Sequence, residues 1–241
     1  MSPERRASTP SSPAFGPSNL RGVSVAYEAV LIDLYSTLVW SDWASWQETL
    51  GVRLGISTEQ VERAFNVTRP ARSVGTYPHP DGDIASVLEA LGIEPTADLV
   101  RDVRDLEERE IMQDIHLYED SLPVVRELRA RGIKTALVSN CSNNTRPVVD
   151  RLGLEPEFDV LILSFEVGAR KPLPEIYRIA LERLGVDEPS MALFVDDQPD
   201  YCDGAAAVGL DTRLIVRPEQ DPPIDSHGHQ MIVNLNDLLV L

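Results

Sequence analysis

Six polar side chains stand at or just beyond the ends of apolar runs in this 241-residue chain. Asp33 ends VAYEAVLID, Ser139 ends IKTALVSN together with Asn140, and the pair Asp196-Asp197 ends SMALFVDD. Lys171, one of two lysines, follows FDVLILS within GARKP. An acidic pair beside a third carboxylate is the all-oxygen donor set that a hard cation prefers, which points to Mg²⁺. A lysine opposite those oxygens offers a point charge suited to an anionic group such as a phosphate.

The apolar runs supply the elements that must position these groups. VAYEAVLID, IKTALVSN, FDVLILS, SMALFVDD and DTRLIV read as buried strands. Between them lie helical patterns: SLPVVRELRARG, NTRPVVDRLGL, LPEIYRIALERLG and YCDGAAAVGL. Gly132, Gly153, Gly185 and Gly209 follow those helices, where a left-handed residue returns the chain to the sheet. Strand alternating with helix predicts an α/β fold with a doubly wound, Rossmann-like parallel sheet. Ligands of such sheets bind beyond the carboxyl ends of the strands, where the six polar groups stand.

Residues 41–117 break the alternation. Trp43, Trp46 and Leu50 share one helical face, Ser57 and Gln60 make a capping box before VERAFNV, and Asp83 suits the start of IASVLEALG. LVRDVRDLEEREIMQDI is a long amphipathic helix. The block reads as a smaller all-helical domain inserted into a core made of 25–40 and 118–241. Residues 1–24, rich in Ser and Pro and without hydrophobic period, read as a flexible tail.

Composition narrows the function. The chain carries 39 acidic against 22 basic residues, a net charge of -17 that repels phosphate backbones and anionic lipid, so neither nucleic acid nor membrane is an expected partner. No apolar run reaches the roughly 20 residues of a membrane helix, and the N-terminus lacks the apolar stretch of a signal peptide. Two cysteines, Cys141 and Cys202, make no disulfide framework, and a cytoplasmic location is the expectation.

Taken in order, DLYSTL, VSN, ARKP and FVDD resemble the four motifs of the haloacid dehalogenase (HAD) superfamily, over residues 25 to about 217. The resemblance implies that Asp33 is a nucleophile that becomes covalently modified. It implies that Ser139 and Lys171 steady the transferred group. Asp33, Asp196, Asp197 and the Tyr35 backbone carbonyl would hold Mg²⁺, and residues 41–117 would form a helical cap over a small substrate. The expected activity is hydrolysis of a small-molecule phosphomonoester through an aspartyl phosphate on Asp33. Asn140 is expected to order its loop first and touch substrate second, and Thr37 is a further candidate for substrate contact.

Tyr35 departs from the phosphatase pattern, which has a second Asp there as general acid and base. A phenol with an ordinary pKa of about 10 is a poor base near neutrality. Tyr35 resembles the 2-haloacid dehalogenase branch, whose departing halide needs no proton. Asp196 and Asp197 point the other way, since two uncompensated carboxylates would repel a carboxylate substrate. Asp197, Tyr35 or the substrate itself is left to move the protons. A metal-free dehalogenase and a non-catalytic phosphate-binding protein are the rival readings.

Other residues carry weaker signals. Trp40, Trp43 and Trp46 fit either a pocket wall or a helix core. Arg69 and Arg72 flank Pro70 and read first as an exposed loop, second as an anion site. His79 falls in a turn, and His227 and His229 fall in a polar loop without enough partners for a transition metal. Oligomeric state leaves no mark on the sequence.

Overall fold

The computed structural model describes residues 27–220 and 225–240; the expected N-terminal tail lies outside them. The strands are β1 Ala29–Ile32, β2 Val39–Trp40, β3 His116–Leu117, β4 Lys134–Ser139, β5 Val160–Leu163, β6 Ala192–Asp196, β7 Asp211–Ile215 and β8 Met231–Ile232. The helices are α1 Trp43–Leu54, α2 Thr58–Arg72, α3 Pro80–Ala90, α4 Ala97–Asp114, α5 Ser121–Ala130, α6 Thr145–Arg151, α7 Ser164–Val167, α8 Pro174–Leu184 and α9 Pro199–Ala207.

Six strands form one sheet in the order β5-β4-β1-β6-β7-β8, parallel at every pairing. The five strands expected from the apolar runs are all present, and β8 adds a sixth. The runs are apolar throughout because the sheet is covered on both faces. In β1, Val30 and Ile32 enter a core with α5 and α6, whereas Ala29 and Leu31 enter another with α8 and α9. Successive side chains of a strand point to opposite faces, so both sets are buried.

Between β2 and β3 the chain builds the helical insertion. The capping box of Ser57 and Gln60 opens α2, and Trp46, Leu50, Phe65, Ile84, Val87, Leu88, Val100 and Val103 close a third core. Two short strands, β2 and β3, pair antiparallel where the insertion leaves and rejoins the core. Asp83 does not open its helix: α3 starts earlier, capped by His79, and Asp83 is buried in the first turn. Among the described residues no helix is long and apolar enough to cross a membrane.

One glycine has a direct bearing on the site. A Cβ on Gly204 of α9 would stand 2.4 Å from the Pro172 carbonyl oxygen. Only the bare backbone lets α9 pack this closely on the loop that carries Lys171.

Candidate active site

β1 lies between β4 and β6, with Ile32 opposite both Leu137 and Val195. That register brings Asp33 to the middle of the sheet's carboxyl edge, with Ser139 on one side and Asp196-Asp197 on the other. The Asp33 N–H donates to the Val195 carbonyl at 3.0 Å. A tight turn follows: Leu38 and Val39 N–H both donate back to the Leu34 carbonyl, and Ser36 takes φ +58.

Lys171 is buried at the centre of this edge. Its Nζ donates to Asp33 Oδ1 at 2.5 Å, to Asp196 Oδ2 at 2.6 Å and to the Val138 carbonyl at 3.0 Å. An ammonium has three protons, so all are used. Burial works against its charge, but the two carboxylates outweigh it and hold Lys171 above its usual range. Asn140 sets the loop: its amide donates to the Lys171 carbonyl and accepts from the Lys171 N–H, both at 2.8 Å. Its ordering role therefore has a clear partner, although Asn140 also lines the cavity.

Asp33, Asp196 and Asp197 each offer an oxygen within 4.8 Å of the others, and all three are buried. Burial pushes Asp33 and Asp196 above the carboxylate range against the pull of Lys171. Burial and the charge of Asp33 push Asp197 up to about 6. With all three carboxyls ionised, one ammonium would leave two negative charges uncancelled in a buried site. A divalent cation bound to oxygen ligands would cancel them, so the residues fit Mg²⁺. Asp197 Oδ2 is oriented by the amides of Gln198 and Gln220, at 2.7 and 2.8 Å.

A cavity of about 390 Å³ opens between this edge and the insertion. Asp33, Tyr35 and Asp197 form its floor, while Trp43, Phe65, Arg69 and Arg72 line the helical side. Ser139, Lys171 and Asp196 lie behind the floor; the Ser139 hydroxyl is buried with no hydrogen-bond partner among the described residues. Thr37 is not brought to the cavity. It is fully buried, and its carbonyl accepts from Arg217, which is paired with Asp120 at 2.8 Å. Thr37 thus braces the turn behind Asp33 instead of facing substrate.

Tyr35 reaches across the floor, its hydroxyl 3.0 Å from Thr145 Oγ1 and its ring edge-on to Trp43. Burial pushes its phenol well above the usual range, which leaves it protonated at neutral pH. Trp43 lines the cavity and Trp46 the helical core, so the cluster divides; Trp40 stacks on His116 instead. Arg69 and Arg72 are not in an exposed loop. α2 continues through Pro70, whose missing N–H removes one helical bond near the C-terminal end. Cys141 and Cys202 belong to cores on opposite faces of the sheet and are not neighbours. His227 and His229 both bond to Asp203, at 2.7 and 3.0 Å, on the exposed surface.

A polar latch joins the insertion to the loop after Ser139. Asn143 donates its backbone N–H and its amide to Asp83, at 3.1 and 2.9 Å, and Asn144 donates to Glu107 at 3.1 Å. Sequence inspection finds none of this, because the partners lie 60 and 37 residues away. Burial pushes Glu107 up to about 7 despite Arg72 and the Asn144 bond. A carboxyl raised on folding keeps its proton more tightly in the folded state, so stability is lost as pH rises through that range. Glu107→Gln, which keeps the Asn144 bond, should gain stability over wild type by up to about 3 kcal/mol between about pH 5 and about pH 8. Urea unfolding of both proteins across that range measures it; parallel profiles would contradict the buried charge.

Comparison with known proteins places this arrangement. The family of haloacid dehalogenase-like hydrolases matches residues 27–209. The chain is 30% identical over 205 residues to "Phosphatase MT3486" of Mycobacterium tuberculosis (strain CDC 1551 / Oshkosh), covering 81% of this chain and 90% of that protein. Among solved structures it resembles a 2-haloacid dehalogenase from Pseudomonas syringae pv. Tomato, with TM-score 0.67 and 19% identity over 89% of this chain and 97% of the other. It also resembles a HAD family enzyme from Bacteroides thetaiotaomicron in complex with magnesium and inorganic phosphate, with TM-score 0.64 and 20% identity over 81% of this chain and 96% of the other. At these identities the two structures speak for the fold alone. The family match spans most of the chain and takes in all four strand-end motifs, and the protein belongs to the haloacid dehalogenase-like hydrolases.

Proposed function

We propose that the protein hydrolyses a phosphomonoester of a small molecule, with Asp33 as nucleophile and Mg²⁺ as cofactor. The observation that carries this reading is the buried cluster of Asp33, Asp196 and Asp197 around a single ammonium, three carboxyl groups against one cation. A carboxylate substrate entering over that cluster without a cation would be repelled. The phosphatase relative supports the same branch.

Asp33, Asp196, Asp197 and the Tyr35 carbonyl would hold the ion, which when bound offsets charge on the phosphoryl oxygens. Lys171 fixes the Asp33 carboxylate by one oxygen, leaving the other to attack phosphorus in line. As the Asp33 oxygen–phosphorus bond forms, the bond to the leaving oxygen breaks, and that oxygen takes up a proton. The buried Ser139 hydroxyl, free of any other partner among the described residues, donates to a phosphoryl oxygen. Water then forms a bond to phosphorus and gives up a proton to solvent, which balances the one the leaving oxygen took from solvent, and Asp33 leaves as carboxylate. Tyr35, held by Thr145 with its phenol protonated, shapes the floor and takes no proton. The helices α1 to α4 serve as a cap that keeps bulk water from the aspartyl phosphate.

Tyr35 is also the feature that favours the dehalogenase reading, and one experiment separates the two. A screen of phosphorylated metabolites should show phosphate release that requires Mg²⁺, stops in excess chelator and returns when Mg²⁺ is restored. Halide release from 2-chloropropionate, undiminished in chelator, would replace this function with dehalogenation.

A further inference from the structure

The cavity has a second polar end that phosphoryl transfer does not use. Among its lining side chains the cations are Arg69 and Arg72, both from α2. Three residues apart on a helix, they share one face. Across the cavity from them the floor carries Asp33 and Asp197, and the rings of Tyr35, Trp43 and Phe65 line the same space. On the phosphatase reading the phosphoryl group belongs at the floor, where the nucleophile is, and the guanidinium groups are on the wall that faces it.

Neither arginine forms an ion pair with a described residue, although acidic residues far outnumber basic ones in the chain. Arg72 is buried and held in one orientation. Its Nε donates to Thr68 Oγ1 at 3.0 Å and its Nη2 to the Phe65 carbonyl at 3.0 Å, with the guanidinium over the Phe65 ring. These bonds leave Nη1 with only a 3.5 Å contact to Ser142 Oγ. Glu107 and Asp83 lie near enough to support its charge against burial, without bonding to it. Arg69 is exposed and lines the same cavity. A fixed guanidinium beside an exposed one suits an oxyanion.

We propose that Arg69 and Arg72 form a second anion-binding subsite. The substrate would then be a small phosphomonoester bearing a carboxylate or a second phosphate remote from the bond that is cleaved. This deepens the phosphatase reading and rests on it. An uncharged alkyl phosphate would meet the aromatic rings and leave the guanidinium groups in water.

Binding of non-hydrolysable probes tests the subsite without depending on turnover. In saturating Mg²⁺, calorimetry compares alkylphosphonates with ω-phosphonocarboxylates of equal length, from phosphonoacetate upward, and with the matching bisphosphonates. At the length that spans the cavity, the second anion should tighten binding by about tenfold or more. Whether carboxylate or phosphonate gains more identifies the group. Arg69→Gln should reduce that gain to about threefold or less, and Arg69→Lys should keep part of it, since the charge survives without the fork. Circular dichroism melting confirms that the variants are folded. Equal affinities for both series in wild type would overturn the subsite. So would an Arg69→Gln variant that weakens both series alike, which would put Arg69 on the transferred phosphoryl group. If the gain and its dependence on Arg69 hold while no phosphomonoester is hydrolysed, the subsite stands and the phosphatase reading falls.

Discussion

Asp33→Asn should lower kcat by about 10⁴-fold or more and leave the protein folded, with a melting temperature equal to wild type or higher. The amide has the shape of the carboxylate but cannot form the bond to phosphorus. Its oxygen still accepts from Lys171, and Lys171 keeps Asp196 at 2.6 Å. Folding no longer has to bury the Asp33 charge, which burial already disfavours. Stability therefore does not track activity at this position, and steady-state kinetics beside a thermal melt separates the two. A variant within tenfold of wild type would remove Asp33 from the chemistry.

Lys171→Met should damage both. The methionine fills the same space without a charge, so Asp33, Asp196 and Asp197 face one another with no cation among the side chains at their centre. Removing one partner of a buried ion pair costs on the order of 3–5 kcal/mol. For a chain of this size that is a fall in Tm on the order of 10 °C. The sign with pH follows from the carboxyls. Already raised by burial, they rise further without Lys171, so each binds its proton more tightly in the folded than in the unfolded state. The loss is then greatest at neutral and alkaline pH and shrinks as the medium becomes acidic. Saturating Mg²⁺ should recover part of the stability, because the ion binds only the folded cluster. Lys171→Met with Asp196→Asn should recover more, by removing one of the stranded charges. Turnover should fall by about 10²-fold or more even where the fold survives, since the carboxylate that attacks is no longer held. A variant as stable as wild type across the pH range would show that the three carboxylates do not share one buried field.

Much of this was open to inspection in the sequence, for a physical reason. A strand buried on both faces is an unbroken apolar run, so Asp33, Ser139 and the Asp196-Asp197 pair stand out where the runs stop. The capping box at Ser57 and Gln60 is a local pattern and is present as expected. β2, β3 and β8 are two residues each, too short to show a period. Arg69 and Arg72 were obscured by Pro70, which signals a loop in most settings but is tolerated close to the end of a 15-residue helix. The latch of Asp83 and Glu107 to Asn143 and Asn144 joins groups far apart in the chain, where spacing carries no information. Thr37 follows the nucleophile by four positions, yet it is fully buried and does not line the cavity.

The central claim is that Asp33 carries a phosphoryl group during turnover. A single turnover in water labelled with heavy oxygen, quenched in acid and followed by mass spectrometry of the peptide containing Asp33, tests it directly. The account predicts a peptide that transiently gains the mass of one phosphoryl group and then returns to its unlabelled mass, with the heavy oxygen in the released phosphate. Heavy oxygen retained in the Asp33 carboxylate would mean that water attacks the carboxyl carbon, as in an ester intermediate. That result, or a peptide that never gains the phosphoryl mass, would contradict the mechanism.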